Sequence, residues 1–130
     1  VIARVVLRGL PNSARGSAVV EFALVVPLIL VLVMGIAEVA VVARTELQLV
    51  SAAREGARQS ATSPDTGLAV AAARNALGGA GADARVSVSR PAAIGEPTTV
   101  TVRLRHRVAT PIFGGFPIDL SASISMRTER

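Results

Sequence analysis

From Phe22 to Ala37 the chain carries no charged side chain, and its apolar character resumes from Val39 to Ala43 after a single carboxylate, Glu38. A helix needs roughly 20 residues to cross ~30 Å of hydrocarbon, so this stretch is long enough for one crossing. That commitment leaves the rest of a 130-residue chain to form one small head with a modest core. Arg4, Arg8 and Arg15 precede the run with no acidic residue among them, whereas Arg44, Glu46, Arg54 and Glu55 behind it are mixed in sign. The positive-inside rule places the N-terminus in the cytoplasm and the C-terminal part outside. Pro27 is tolerable in such a helix and should bend it, because it removes one backbone donor and crowds the carbonyl a turn earlier.

The composition supports the same division. Just over half of the residues are hydrophobic, yet the aromatics are three Phe, so the apolar mass is Val, Ala, Leu and Ile. That mixture suits a lipid-facing helix and a sheet better than a binding pocket. All 14 basic residues are Arg, which points to the codon bias of a GC-rich bacterial genome and not to a function. Cysteine is absent, which excludes disulfides, thiolate metal sites and a cysteine nucleophile. With Val1 first, the chain starts either at an alternative start codon or at the edge of a fragment.

Glu21 stands at the mouth of the apolar run, in Gly16-Ser17-Ala18-Val19-Val20-Glu21-Phe22. A charge at the centre of a membrane helix costs about 2.5 to 3.5 kcal/mol on insertion scales, so a carboxylate beside a span calls for a functional explanation. A secretory signal peptide would use Ala37-Glu38-Val39-Ala40 as its cleavage region. Its apolar core, however, is usually about 7 to 15 residues, and an acidic residue in the cleavage tripeptide fits poorly. An ordinary signal anchor accommodates the run but leaves the small residues before Glu21 unexplained.

Arg15-Gly16-Ser17-Ala18-Val19-Val20-Glu21-Phe22-Ala23-Leu24, then Pro27, then Gly35-Ile36-Ala37-Glu38, then Ala52-Ala53-Arg54-Glu55-Gly56-Ala57-Arg58 together resemble the TadE-like pseudopilins of the tight-adherence machinery that builds Flp-type pili. The resemblance covers about a third of the chain. It implies cutting by a membrane-embedded aspartyl prepilin peptidase between Gly16 and Ser17, so that Glu21 becomes the fifth residue of the mature chain and Phe22 follows it. It also implies that the new cationic amine pairs with the Glu of a neighbouring subunit, which neutralises two charges that would each be costly alone. Gly16 suits a cut because Gly readily adopts the extended, accessible conformation a peptidase needs; a plain turn before a helix is the simpler use for it. The partners implied are membrane lipid, the prepilin peptidase, other pilin or pseudopilin subunits and the tight-adherence secretion machinery.

Val39, Ala43, Leu47, Val50, Ala53 and Ala57 recur at helical spacing, which extends the helix from Ser17 to about Ala61, of order 65 Å. Ala52 with Gly56, and Ala53 with Ala57, are small residues four apart that let another backbone approach closely. Either a second subunit or the chain's own head can occupy that stripe. Glu38 either snorkels to the outer interface or pairs with Arg44 of a neighbour. Ser63-Pro64-Asp65 reads as a helix start capped by Ser63, followed by a short Ala-rich helix to about Leu77 with Val70, Ala73 and Leu77 on its apolar side. Gly78-Gly79-Ala80-Gly81 ends it.

Strict alternation then predicts three strands. Val86 and Val88 lie in the first, Val100, Val102, Leu104 and Val108 in the second, and Leu120, Ala122, Ile124 and Met126 in the third, with Ser, Thr and Arg on the other face. The fold class is α+β: a single transmembrane N-terminal helix continuing as a long spine, then a short helix and a small antiparallel sheet. The organisation read is a basic leader over 1–16, the transmembrane and projecting helix over 17–62 and an extracytoplasmic head over 63–130. The Pro111–Pro117 loop, with Phe113 and Phe116, reads as a plug closing one end of the core.

Nothing in the chain assembles catalytic chemistry. His106, the sole histidine, falls on the apolar phase of an Arg-rich strand, and no Ser-His-Asp arrangement, metal-ligand set or phosphate-binding glycine loop is present, so neither enzyme activity nor a cofactor is expected. Arg103, Arg105 and Arg107 share a strand face and could present a stripe to polyanions, but the aromatic interleaving of single-strand nucleic-acid binders is missing. The sequence thus reads as a pseudopilin or minor pilin component in the cell membrane, reaching the surface pilus. A single-pass anchored surface protein with a ligand- or polyanion-binding head outside any filament is the alternative.

Overall fold

The computed structural model describes residues 13–91, 95–109 and 115–127. Most of the leader over 1–16 and the plug residue Phe113 lie outside the described residues. A 50-residue helix, α1 (Ser13–Thr62), is followed by α2 (Thr66–Leu77), a 3-10 turn (Gly78–Ala82) and the strands β1 (Arg85–Ser89), β2 (Pro97–Val108) and β3 (Phe116–Arg127). The fold is α+β, and the chain divides into two compact units, Val1–Ile36 and Ala37–Arg130.

In the first unit α1 runs through Pro27 without a break. Val19, Phe22, Leu24, Leu28, Ile29, Leu32 and Ile36 are all exposed, and nothing in the most apolar stretch of the helix is buried. A helix apolar on every face has no stable place in water, but its interior backbone groups pair within the helix itself, as hydrocarbon demands, apart from the Ala23 carbonyl, to which Pro27 has no amide to donate. Its length and composition suffice to cross a membrane.

The second unit begins within α1 and contains the head. The sheet is an antiparallel meander ordered β1-β2-β3. Its alternation sends Thr98, Val100, Val102 and Val108 of β2 inward, with Leu104 and His106 half-buried between them, and leaves Arg103, Arg105 and Arg107 exposed. Leu49, Ala52, Ala53 and Ala57 of α1 and Ala73 and Leu77 of α2 complete a core with Val100, Val102, Leu120 and Ala122. Small side chains let the backbones close up. At Gly56 a Cβ would stand 3.1 Å from both Ala73 Cβ and Val100 Cγ1, so only glycine fits without displacing its neighbours. On the outward face paired hydroxyls tie β2 to β3, Thr99 to Ser125 and Thr101 to Ser123, each at 2.8 Å.

Local chemistry departs from the sequence expectation at α2. The cap is Asp65, whose Oδ1 accepts from the Gly67 amide at 2.8 Å, while Ser63 Oγ accepts from the Asp65 amide at 3.3 Å. The Ser63 carbonyl, which a capping Ser63 would offer to the helix, accepts instead from Arg90 Nη1 at 2.6 Å. The buried residues of α2 are Ala69, Ala73 and Leu77, with Val70 only half-buried. Gly78 closes the helix with a φ of 59°, a left-handed value that favours glycine. Phe116 does not plug the core: it opens β3 and is 53% exposed.

Candidate functional site

The residues singled out at the N-terminus occupy the first turns of α1. Gly16 and Ser17 are helical, not extended, because the helix starts at Ser13. Both are exposed, and a Cβ built at Gly16 meets nothing within 4 Å. The surface at Gly16 is therefore open, but extending the bond requires unwinding the first turn. That turn is the weakest part of any helix, since its leading amides lack intrahelical partners, and glycine lowers helix stability by about 1 kcal/mol relative to alanine.

Ser17 Oγ donates to Glu21 Oε1 at 3.2 Å, one helical turn on. Among the described residues no cation forms an ion pair with Glu21. Among those residues the carboxylate has one neutral partner, on an exposed apolar helix, where an unpaired charge is costly once water is withdrawn. What it lacks among the described residues is a positive group, and the residue already within reach is Ser17. Phe22, beside it, is 69% exposed and open to lipid or a second helix.

Glu38 lies elsewhere, in the second unit. Its Oε1 accepts a hydrogen bond from His106 Nε2 at 3.1 Å, with the two side chains 21% and 20% exposed. A carboxylate has no proton to give, so Nε2–H is the donor and the imidazole presents that nitrogen protonated. The contact joins α1 to β2 across 68 residues of sequence. This partner lies within the chain itself and was not among those the sequence suggested for Glu38. The signal available beforehand was that each residue is a lone polar group on an otherwise apolar face.

The small-residue stripe packs inside the head. Ala52, Ala53 and Ala57 are fully buried, and Gly56 faces α2 and β2, so the chain's own head occupies the surface that a second backbone would need. On the neighbouring exposed face, Arg58 makes a two-pronged contact with Glu55. The hydrogen bond and the charge of Arg58 hold the Glu55 carboxyl below its ordinary range, and Glu55 raises Arg58 in turn.

Arg103, Arg105 and Arg107 do share the exposed outer face of the sheet. Arg105 is paired with Asp119 at 3.1 Å, and Arg103 stands opposite Arg85 across the β1–β2 ladder. The open depression beside them is lined by Asp83 and Asp119 as well as Arg85, Arg103 and Arg105. That surface is mixed in sign, which weakens it as a polyanion stripe. No cluster of three or more His, Asp or Glu among the described residues could hold a metal ion.

Residues 16–58 match the family model described as TadE-like protein. The matched segment opens at Gly16, includes Ser17, Glu21 and Glu38, and closes at Arg58, so it coincides with the part of α1 that carries the span and the helix face packed into the head. No curated protein and no solved structure matches the chain.

Proposed function

We propose that this TadE-like chain is a membrane-anchored pseudopilin or minor pilin of a tight-adherence, Flp-type pilus, cut by a prepilin peptidase between Gly16 and Ser17. The observation that carries the proposal is the pairing of Ser17 with Glu21. The first residue of the cut chain already touches a carboxylate that has no cation among the described residues. Cutting creates an α-amine on that same residue, cationic at neutral pH, within the environment that needs it. Whether supplied by its own chain or by the next subunit, that amine would neutralise Glu21 as helices pack together. The Arg excess before the span puts the N-terminus in the cytoplasm and the head outside. The chain is then the substrate of an enzyme and not an enzyme.

The test is Gly16→Leu in cells that contain the peptidase. A Cβ built at that position meets nothing within 4 Å, so a side chain there has room to leave the helix surface. The uncut chain should accumulate in the membrane fraction. Cleavage of the variant at the wild-type bond with wild-type efficiency would refute the assignment of Gly16.

A further inference from the structure

β3 is an edge of the sheet: β2 lies on one side of it, and no strand pairs with its other side among the described residues. Edge strands are usually blunted by shortness, bulges, proline or charge, because their unpaired amides and carbonyls are a template for another chain. The opposite edge, β1, is five residues long. By contrast β3 has 12 residues, pairs with β2 one for one without a bulge, and holds its proline, Pro117, next to its start. Between Asp119 and Arg127 the run Leu120–Met126 contains no charge, proline or glycine. That length of edge is unprotected.

It is also complementary to itself. Asp119 and Arg127 stand four residues either side of Ser123, and all three are exposed on the same face of the sheet. We infer that β3 is the interface of a homodimer, in which a second copy of the strand adds antiparallel with Ser123 opposite Ser123. In that register Asp119 faces Arg127 of the second copy, and Arg127 faces its Asp119. A slip of two residues, the smallest that keeps the faces in phase, breaks both pairs. Asp119 can serve a second cation, because Arg105 Nε donates to its Oδ1 at 3.1 Å and a carboxylate accepts through two oxygens. Arg127 forms no ion pair among the described residues. On the core side Leu120 falls opposite Met126 and Ala122 opposite Ile124, so the half-buried Ile124 and Met126 gain apolar cover. On the outer side the hydroxyl pairs Thr101–Ser123 and Thr99–Ser125 continue across the new ladder as Ser123–Ser123 and Ser125–Ser121. Pairing Asp119–Arg127 with its copy makes about eight to ten backbone hydrogen bonds, as many as a typical protein interface carries. The inference depends neither on cutting at Gly16 nor on entry into a filament.

The chain contains no cysteine, so introduced thiols report the register by disulfide formation. Directly opposed residues have Cα atoms about 4.5 to 5.5 Å apart, within the range a disulfide spans. The full chain, in membranes and purified in detergent, is oxidised mildly as Ser123→Cys, Ser121→Cys, Ser125→Cys and the double variant Ser121→Cys/Ser125→Cys. Ser123→Cys should give a disulfide-linked dimer. Ser121→Cys and Ser125→Cys should each give severalfold less, because in this register a residue at either position lies about 14 Å along the ladder from its own copy. The double variant should cross-link as readily as Ser123→Cys, since position 121 meets position 125. It also leaves Ser123 in place, so a fault caused by changing that residue does not decide the result. Arg127→Asp, added to either cross-linking chain, sets two carboxylates face to face and should lower the dimer yield severalfold. Monomers throughout, or equal yields from Ser121→Cys, Ser123→Cys and Ser125→Cys, overturn the interface. An unchanged yield with Arg127→Asp overturns the charge pairing that fixes it.

Discussion

Glu21 and Glu38 are carboxylates of the same helix, and their surroundings set them to different tasks. Glu21 has one hydroxyl partner among the described residues, on an exposed turn, whereas Glu38 is four-fifths covered and bonded to His106. Glu21→Ala should leave membrane insertion intact, since it removes a costly charge, and should abolish pilus assembly while the chain is still cut. Wild-type numbers of pili on cells carrying the variant would contradict that role. Removing either member of the second pair strands a mostly buried polar partner. Glu38→Ala and His106→Ala should each lower stability by about 1 to 3 kcal/mol, and the double variant by less than their sum. Thermal unfolding of the four proteins in detergent checks this, and additive losses would show that the two side chains do not act together. His106 was visible in the sequence as a polar residue on an apolar strand phase. Its partner was not, because period and spacing describe one element at a time.

Among the elements, the strands were the most legible. Alternation placed Val100, Val102, Leu120 and Ala122 on the core face, and the structure finds them there. The long helix was equally legible, but its start was not: α1 begins at Ser13, ahead of the glycine read as the break, since an exposed first turn tolerates glycine at a modest cost. The α2 cap shifted for a tertiary reason, because Arg90 claims the Ser63 carbonyl that a capping Ser63 would have turned into the helix. The small-residue stripe had two possible occupants, and the head is the one seen. Its tightest point makes a direct test. Gly56→Val would gain some helix propensity but force two methyl groups into space bounded by Ala73, Val100 and the Ala69 carbonyl, so a net loss of about 1 to 3 kcal/mol is expected. A denaturant midpoint equal to or above that of the parent would show that the contact is looser than this packing requires.

For the whole molecule, the boundary that matters functionally is not the one between helix and sheet. The first unit offers lipid an apolar helix on all sides, and the second takes the rest of that helix into its own core. The matched segment, 16–58, extends through both, which explains why a single helical stretch can specify anchoring at one end and head attachment at the other. The strands and α2 lie beyond it, and their arrangement follows from alternation and packing and not from family likeness. Everything proposed for assembly depends on Ser17 becoming the first residue. Intact-mass analysis of the chain purified from membranes, with N-terminal sequencing, reads this directly in cells with and without the prepilin peptidase. The mature chain should begin at Ser17 when the peptidase is present and retain Gly16 and the residues before it when it is absent. A chain that begins upstream of Arg15 in both strains, or at Val41, would rule out processing at the Gly16–Ser17 bond and the pilin-type role built on it.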